Sequence, residues 1–322
     1  MIEKQAVLFM AGQEELNGKY AFLFPGQGSQ SVGMGFDLYK ASSLVKDVFD
    51  EVDDALGRKL SQIIFEGPEE ELRKTVNAQP AIMTASIASY RFVSESVKVI
   101  PSPAFLAGHS LGEFTSLVAS GVLDLSETAR LVQKRGELMQ KACELRPGSM
   151  AAVLGLDAVT LLEIGAQTGI YVSNINTENQ IVISGERKHV AMALDMAMAR
   201  GARKVIPLKV AGAFHSGLME PAKEGLINAI AVMDFNEPII PIVGNTNFQK
   251  LDTSEQVKTE LVNQLCNCVN WKQSVDYMID FGVSKFIEFG PGKALAAMVK
   301  RINSDCKVFS VDSVQSLDKL EL

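Results

Sequence analysis

The chain has 322 residues, 47% of them hydrophobic and 21% charged, a balance that sustains a large buried core and excludes a disordered chain. A formal net charge of −7 excludes a generally cationic surface for nucleic acid or anionic membrane. No apolar run approaches the length of a membrane span and residues 1–19 contain no signal-peptide core, so a cytoplasmic protein is expected.

In chain order, residues 1–19 read as an N-terminal extension. A strand over Tyr20–Phe24 follows, then the turn Pro25-Gly26-Gln27-Gly28-Ser29-Gln30. Helical periodicity runs from Leu44 to Leu56 and again from about Pro80 to Ser96. A short apolar strand, Pro103–Ala107, enters Gly108-His109-Ser110-Leu111-Gly112-Glu113, from which another helix departs. The next helix is expected from Ser126, as its N-cap, to about Leu145, closed by Pro147-Gly148.

From Met150 the pattern changes. Strand Met150–Leu154, helix Ala158–Gly165, strands Ile170–Ser173 and Gln180–Ser184, helix Lys188–Arg200 and strand Lys204–Leu208 give the order βαββαβ. That is the ferredoxin-like pattern. Beyond His215 come helix Glu220–Met233, strand Pro241–Asn245, helices Val257–Cys266 and Trp271–Phe281, strand Lys285–Phe289 and helix Lys293–Ile302. The expected fold is α/β, with a hydrolase-like core on a mostly parallel sheet and an inserted ferredoxin-like subdomain. The large domain takes 20–146 and 213–322, and the insertion takes 147–212 as one wall of a cleft.

The chemistry centres on Ser110. A G-x-S-x-G pentad between a strand and a helix places serine on a tight turn, its hydroxyl at a helix N-terminus. Three histidines are available as its base. His109 is its neighbour and points away, and His189 stands among charged residues. By elimination His215, at the end of the insertion, is the candidate general base. The backbone N–H of Leu111 is one expected oxyanion donor. The glycine-flanked turn at Gln27 suits the other, since glycines let its backbone approach closely. The four cysteines, Cys143, Cys266, Cys268 and Cys306, lack C-x-x-C spacing. Reduced thiols are therefore expected, with no metal and no bound cofactor.

Six motifs occur in order: Phe24-Pro25-Gly26-Gln27-Gly28-Ser29-Gln30, Asn77-Ala78-Gln79-Pro80-Ala81, Gly108-His109-Ser110-Leu111-Gly112-Glu113, Lys134-Arg135-Gly136, Ala213-Phe214-His215-Ser216 and Glu288-Phe289-Gly290-Pro291-Gly292. On them the chain, from Tyr20 to Ile302, resembles the malonyl-CoA:acyl carrier protein transacylases and, more distantly, the acyltransferase domains of polyketide synthases. The resemblance implies that Ser110 is acylated by malonyl-CoA, with His215 as base and Gln27 and Leu111 as oxyanion donors. It further implies that Arg135 grips the malonyl carboxylate. Taken alone, an arginine within a helix would read as a surface residue.

Gln79, Gln264, Asn174 and Asn176 match amide side chains of the family's site. Phe214, before the histidine, goes with malonyl rather than methylmalonyl in related polyketide acyltransferases. The implied partners are malonyl-CoA and the phosphopantetheine thiol of acyl carrier protein, in fatty acid biosynthesis; no nucleic acid or membrane partner is implied, and a monomer is expected. Cys266-Asn267-Cys268 departs from the family's aromatic-Asn-Pro. Rival readings are a trans-acting malonyl transferase of a polyketide synthase, a serine esterase or thioesterase, and a non-enzymatic carrier-binding scaffold. Arg135 argues against the hydrolase, which has no need to grip a carboxylate.

Overall fold

A computed structural model describes residues 18–97 and 100–320; residues 1–17 of the expected N-terminal extension lie outside the described residues. Lys19, assigned above to that extension, already belongs to strand β1 (Lys19–Phe24). Helices α1 (Phe36–Ala41), α2 (Ser43–Leu56), α3 (Leu60–Glu66), α4 (Glu69–Arg73) and α5 (Thr75–Ser96) lead to β2 (Pro103–Gly108), α6 (Leu111–Ala119) and α7 (Leu125–Leu145). The inserted unit is β3 (Ser149–Leu154), α8 (Ala158–Thr168), β4 (Tyr171–Thr177), β5 (Gln180–Gly185), α9 (Arg187–Ala199) and β6 (Lys204–Pro207). The chain returns through α10 (Glu220–Ala231), β7 (Ile242–Val243), β8 (Lys250–Leu251), α11 (Ser254–Gln264), α12 (Trp271–Asp280), β9 (Val283–Phe289), α13 (Ala294–Ile302), β10 (Lys307–Val311) and α14 (Val314–Leu317).

Six strands form one sheet in the order β10-β9-β1-β2-β7-β8, parallel except for β8, which runs antiparallel to β7. Strand β1 sits centrally and is apolar on both faces, as a strand covered by helices on both sides must be. Phe22 and Phe24 pack with Tyr90 of α5 and Phe289 of β9, while Ala21 and Leu23 face Trp271 and Met278 of α12. The inserted strands form a separate antiparallel sheet in the order β4-β5-β3-β6, with its own core of Val153, Ile164, Ile183 and Ala193. This is the arrangement expected of βαββαβ. It is stitched to the larger sheet's lobe where Val269 inserts beside β4, accepting from Ile175 N and donating to Ser173 O, both at 2.9 Å.

Two of the boundaries that differ from the sequence reading have a clear physical cause. Helix α5 begins at Thr75 and passes through Pro80. Pro80 has no N–H to offer the Val76 carbonyl one turn back, and Arg58 Nη2 approaches that oxygen at 3.5 Å, so the helix survives the interruption. Helix α7 is capped by Asp124, not Ser126. The Asp124 carboxylate accepts from Glu127 N at 2.6 Å in a capping box, while Ser126 lies inside the helix and donates to Glu51.

Candidate active site

The G-x-S-x-G turn is built by close approach. A Cβ on Gly112 would lie 1.9 Å from the Phe24 carbonyl oxygen, and one on Gly108 would lie 1.9 Å from the Gly112 carbonyl carbon. Helix α6 therefore seats directly against the end of β1, which only glycine permits. Ser110 is left with φ 52° and ψ −103°, a conformation that L residues rarely adopt and that the surrounding structure must hold. Its hydroxyl stands at the positive end of α6.

His215, brought 105 positions along the chain to Ser110, shares that strain with φ 55°. Its Nδ1 lies 2.8 Å from the Gln264 carbonyl oxygen, and its Nε2 lies 2.8 Å from Ser110 Oγ. A carbonyl can only accept, so Nδ1 carries the proton and Nε2 accepts the Ser110 hydroxyl. Burial first, and the Arg135 charge second, push the imidazole down to about 3. It is neutral at pH 7, with Nε2 free to accept a proton, and is oriented by a carbonyl where a triad would use a carboxylate.

Arg135 lies on the buried stripe of α7 with Thr128, Val132 and Met139. A charge at a core-facing helical position was the one signal that residue patterning offered for it. Nη1 donates to Gln79 Oε1 at 2.5 Å, and Nη2 donates to Gln264 Oε1 at 2.8 Å and to Ser110 Oγ at 3.2 Å. The guanidinium also stacks on Phe114, and Nε has no hydrogen-bond partner among the described residues. Burial lowers its pKa to about 10, so it stays charged. All its hydrogen-bond partners among the described residues are neutral. A buried cation with no hydrogen-bonded anion is costly, and this one is aimed at Ser110 Oγ.

Gln79 and Gln264 thus hold the arginine; Gln264 Nε2 also donates to the Ser110 carbonyl at 2.9 Å. A cavity of about 280 Å³ opens in front of Ser110 and His215. Gln27, Asn174, Asn176, Phe214, Met139 and Met298 are among its lining. Asn176 Oδ1 accepts from His109 Nε2 at 2.9 Å, which accounts for His109: it ties the turn to β4 and makes no contact as a base. The backbone N–H groups of Gln27 and Leu111 bond to nothing among the described residues. Cys266 and Cys268 line a second cavity behind His215, and all four cysteines are free.

Asn245 escaped sequence reasoning. Fully buried just beyond β7, it accepts from Ser110 N at 2.7 Å and donates through Nδ2 to the Gly108 carbonyl at 2.8 Å. Nothing local marks it, since it meets the turn only through the pairing of β7 with β2.

A nucleophile turn, a neutral histidine and a buried cation on one serine are the parts of an acyl-transfer site, and comparison with known proteins agrees. Residues 21–317 match the family described as acyl transferase domain. The chain belongs to that family. It is 42% identical over 305 residues to the malonyl CoA-acyl carrier protein transacylase of Bacillus subtilis, covering 93% of this chain and 95% of that protein. Against the corresponding Escherichia coli K12 protein the identity is 41%, over 88% of this chain and 93% of the other. Among solved structures, the acyl-carrier-protein-S-malonyltransferase of Bartonella henselae superposes with a TM-score of 0.90 at 40% identity, over 94% of this chain and 98% of that one. A malonyl-transacylase solved in complex with a type II polyketide acyl-carrier protein also reaches 0.90, at 37% identity and with the same coverage.

Proposed function

We propose that this acyltransferase moves a malonyl group from malonyl-CoA to Ser110 and then to the phosphopantetheine thiol of acyl carrier protein, in the cytoplasm, as a monomer. The observation that carries the reading is the buried guanidinium of Arg135, which bonds to no anion among the described residues and lies 3.2 Å from Ser110 Oγ. A malonyl group on that oxygen ends in a carboxylate three bonds away. A planar fork is the donor that meets a carboxylate in two parallel bonds.

His215 Nε2 takes the hydroxyl proton as Oγ attacks the thioester carbonyl. The resulting imidazolium is held by its Nδ1–H bond to the Gln264 carbonyl. The Gln27 and Leu111 N–H groups receive the oxyanion, each worth roughly 3 kcal/mol of barrier. On collapse the C–S bond breaks and the CoA sulfur takes the proton from His215. The second half runs in reverse order: the carrier thiol gives its proton to His215, its sulfur attacks the acyl-serine, and Oγ leaves and recovers the proton. The fully buried Arg135, Gln79 and Gln264 form a dry floor on which the charge of the arginine acts at full strength. We take residues 20–146 and 213–322 as the lobe bearing the nucleophile and 147–212 as the opposite wall, a division that the insertion's separate apolar core supports.

The test is incubation with malonyl-CoA or acetyl-CoA, followed by mass analysis of the Ser110 peptide. Malonyl should load stoichiometrically and pass to holo acyl carrier protein, and Ser110→Ala should give no adduct. Free malonate without transfer would make the protein a hydrolase.

A further inference from the structure

We infer that Asn245 is a positioning residue that holds Ser110 in its attacking conformation and reserves the oxyanion site for other donors. The inference rests on Ser110 being the nucleophile and adds a residue that the six motifs do not contain.

Ser110 at φ 52° has to be held in place, because its relaxed alternatives carry the hydroxyl away from His215. Asn245 spans the turn. Its Oδ1 accepts from Ser110 N at 2.7 Å and its Nδ2 donates to the Gly108 carbonyl at 2.8 Å, so one amide fixes the backbone on both sides of His109. Asn245 is itself fixed. Its N–H donates to Glu113 Oε2 on α6 at 3.1 Å, and its carbonyl accepts from Asn270 N at 2.8 Å ahead of α12.

One consequence concerns the oxyanion. The Ser110 N–H is committed to Asn245, so it cannot turn toward the developing charge, and the free N–H groups nearby are those of Leu111 and Gln27. Only an asparagine-like group does both jobs, since the turn offers one donor and one acceptor and needs the opposite pair from a single side chain.

The test uses Asn245→Ala and Asn245→Asp, with the rate of Ser110 labelling by a serine-directed alkyl fluorophosphonate as readout. That reagent reports the turn whatever acyl donor the protein uses, so a wild-type chain that labels but refuses malonyl-CoA would refute the malonyl reading and leave this one standing. Misplacing the hydroxyl by about 1 Å costs on the order of 100-fold, which is the loss expected for Asn245→Ala at every pH.

In Asn245→Asp the new carboxylate can accept from Ser110 N but has nothing to donate to the Gly108 carbonyl. When protonated it regains the asparagine pattern. The titratable groups facing that spot are Glu113 of α6 and Glu260 of α11, both raised above the usual carboxylate range by burial, with the Arg135 charge of α7 and the buried His109 beyond. The neighbouring carboxyls and the burial also raise the new one. Labelling of Asn245→Asp should therefore recover at least about tenfold between pH 8 and 5.5, over which the wild type changes little. A merely structural asparagine would lower the melting temperature of both variants without that pH-dependent rescue. Wild-type labelling in Asn245→Ala overturns the inference. So does an Asn245→Asp profile as flat as the wild type's, which decides the matter alone if the alanine variant does not fold.

Discussion

Replacing Arg135 by lysine keeps a positive charge beside Ser110 and removes the fork. In the native site Nη1 is spent on Gln79 and Nη2 on Gln264 and Ser110, at 2.5, 2.8 and 3.2 Å. The flat group spans two amides from different helices and still presents an edge to the acyl group. An ammonium has its donors on one nitrogen and cannot reach both amides while making two bonds to a carboxylate. A hydrogen bond to a charged group is worth about 1.5–3 kcal/mol. Losing one of two costs about 2 kcal/mol, or roughly 30-fold in kcat/KM for malonyl-CoA. Arg135→Ala loses both bonds and the charge, about 4 kcal/mol and near 1000-fold.

Acetyl-CoA carries no carboxylate, so its loading should change by less than about threefold in the lysine variant. The assay is rapid-quench formation of acyl-Ser110 with each thioester, read as the malonyl-to-acetyl ratio of kcat/KM. Equal proportional losses for both donors would sink the reasoning, because Arg135 would then act on the serine rather than on the substrate's carboxylate.

The depressed imidazole makes a second prediction. With His215 pushed down to about 3, single-turnover acylation should vary less than about threefold from pH 8 to 5.5, where an ordinary histidine near 6.5 would be about nine-tenths protonated; an apparent pKa near 6.5 would contradict the geometry. The sign for stability is the reverse of that for a paired histidine. Below pH 6.5 the unfolded chain takes a proton that the folded one refuses until about 3, so the folded state loses roughly 1.4 kcal/mol per pH unit across that window. Acid melts of His215→Gln should lack this contribution. Phe214, buried at the cavity that Met139 and Met150 also line, is expected to fill the room an α-methyl would need. Phe214→Ala should shift the methylmalonyl-to-malonyl ratio upward by about 10–200-fold, and an unchanged ratio in competition assays would remove Phe214 from substrate choice.

Much of this molecule was legible residue by residue. The alternation of strands with helices announced a mostly parallel sheet covered on both faces, and the βαββαβ order announced the insertion. Ser110 stood out because the strain of its turn is written locally, in the two glycines that α6 requires. The failures have physical causes. Pro80 reads as a helix start, and only the distant Arg58 shows how the helix continues through it. Ser126 is as good a cap as Asp124 by residue type, and the capping box with Glu127 decides between them. The edge strand β10 went unread, because its residues Val308, Phe309 and Ser310 are only half-buried and give no clean alternation. Asn245 is the extreme case. Its role exists only after β7 has paired with β2, 135 positions from the serine it holds.

The seam at Val269 carries a broader meaning. Its two backbone bonds to β4 continue through Asn270 N to the Asn245 carbonyl, and from the Asn245 side chain to Ser110 N. One unbroken thread of amides joins strand β4 of the inserted unit to the backbone of the proposed nucleophile. New acyl preferences in such a scaffold are expected from re-carving the side chains along the cleft, because a shift that widened it at this seam would also pull on Ser110.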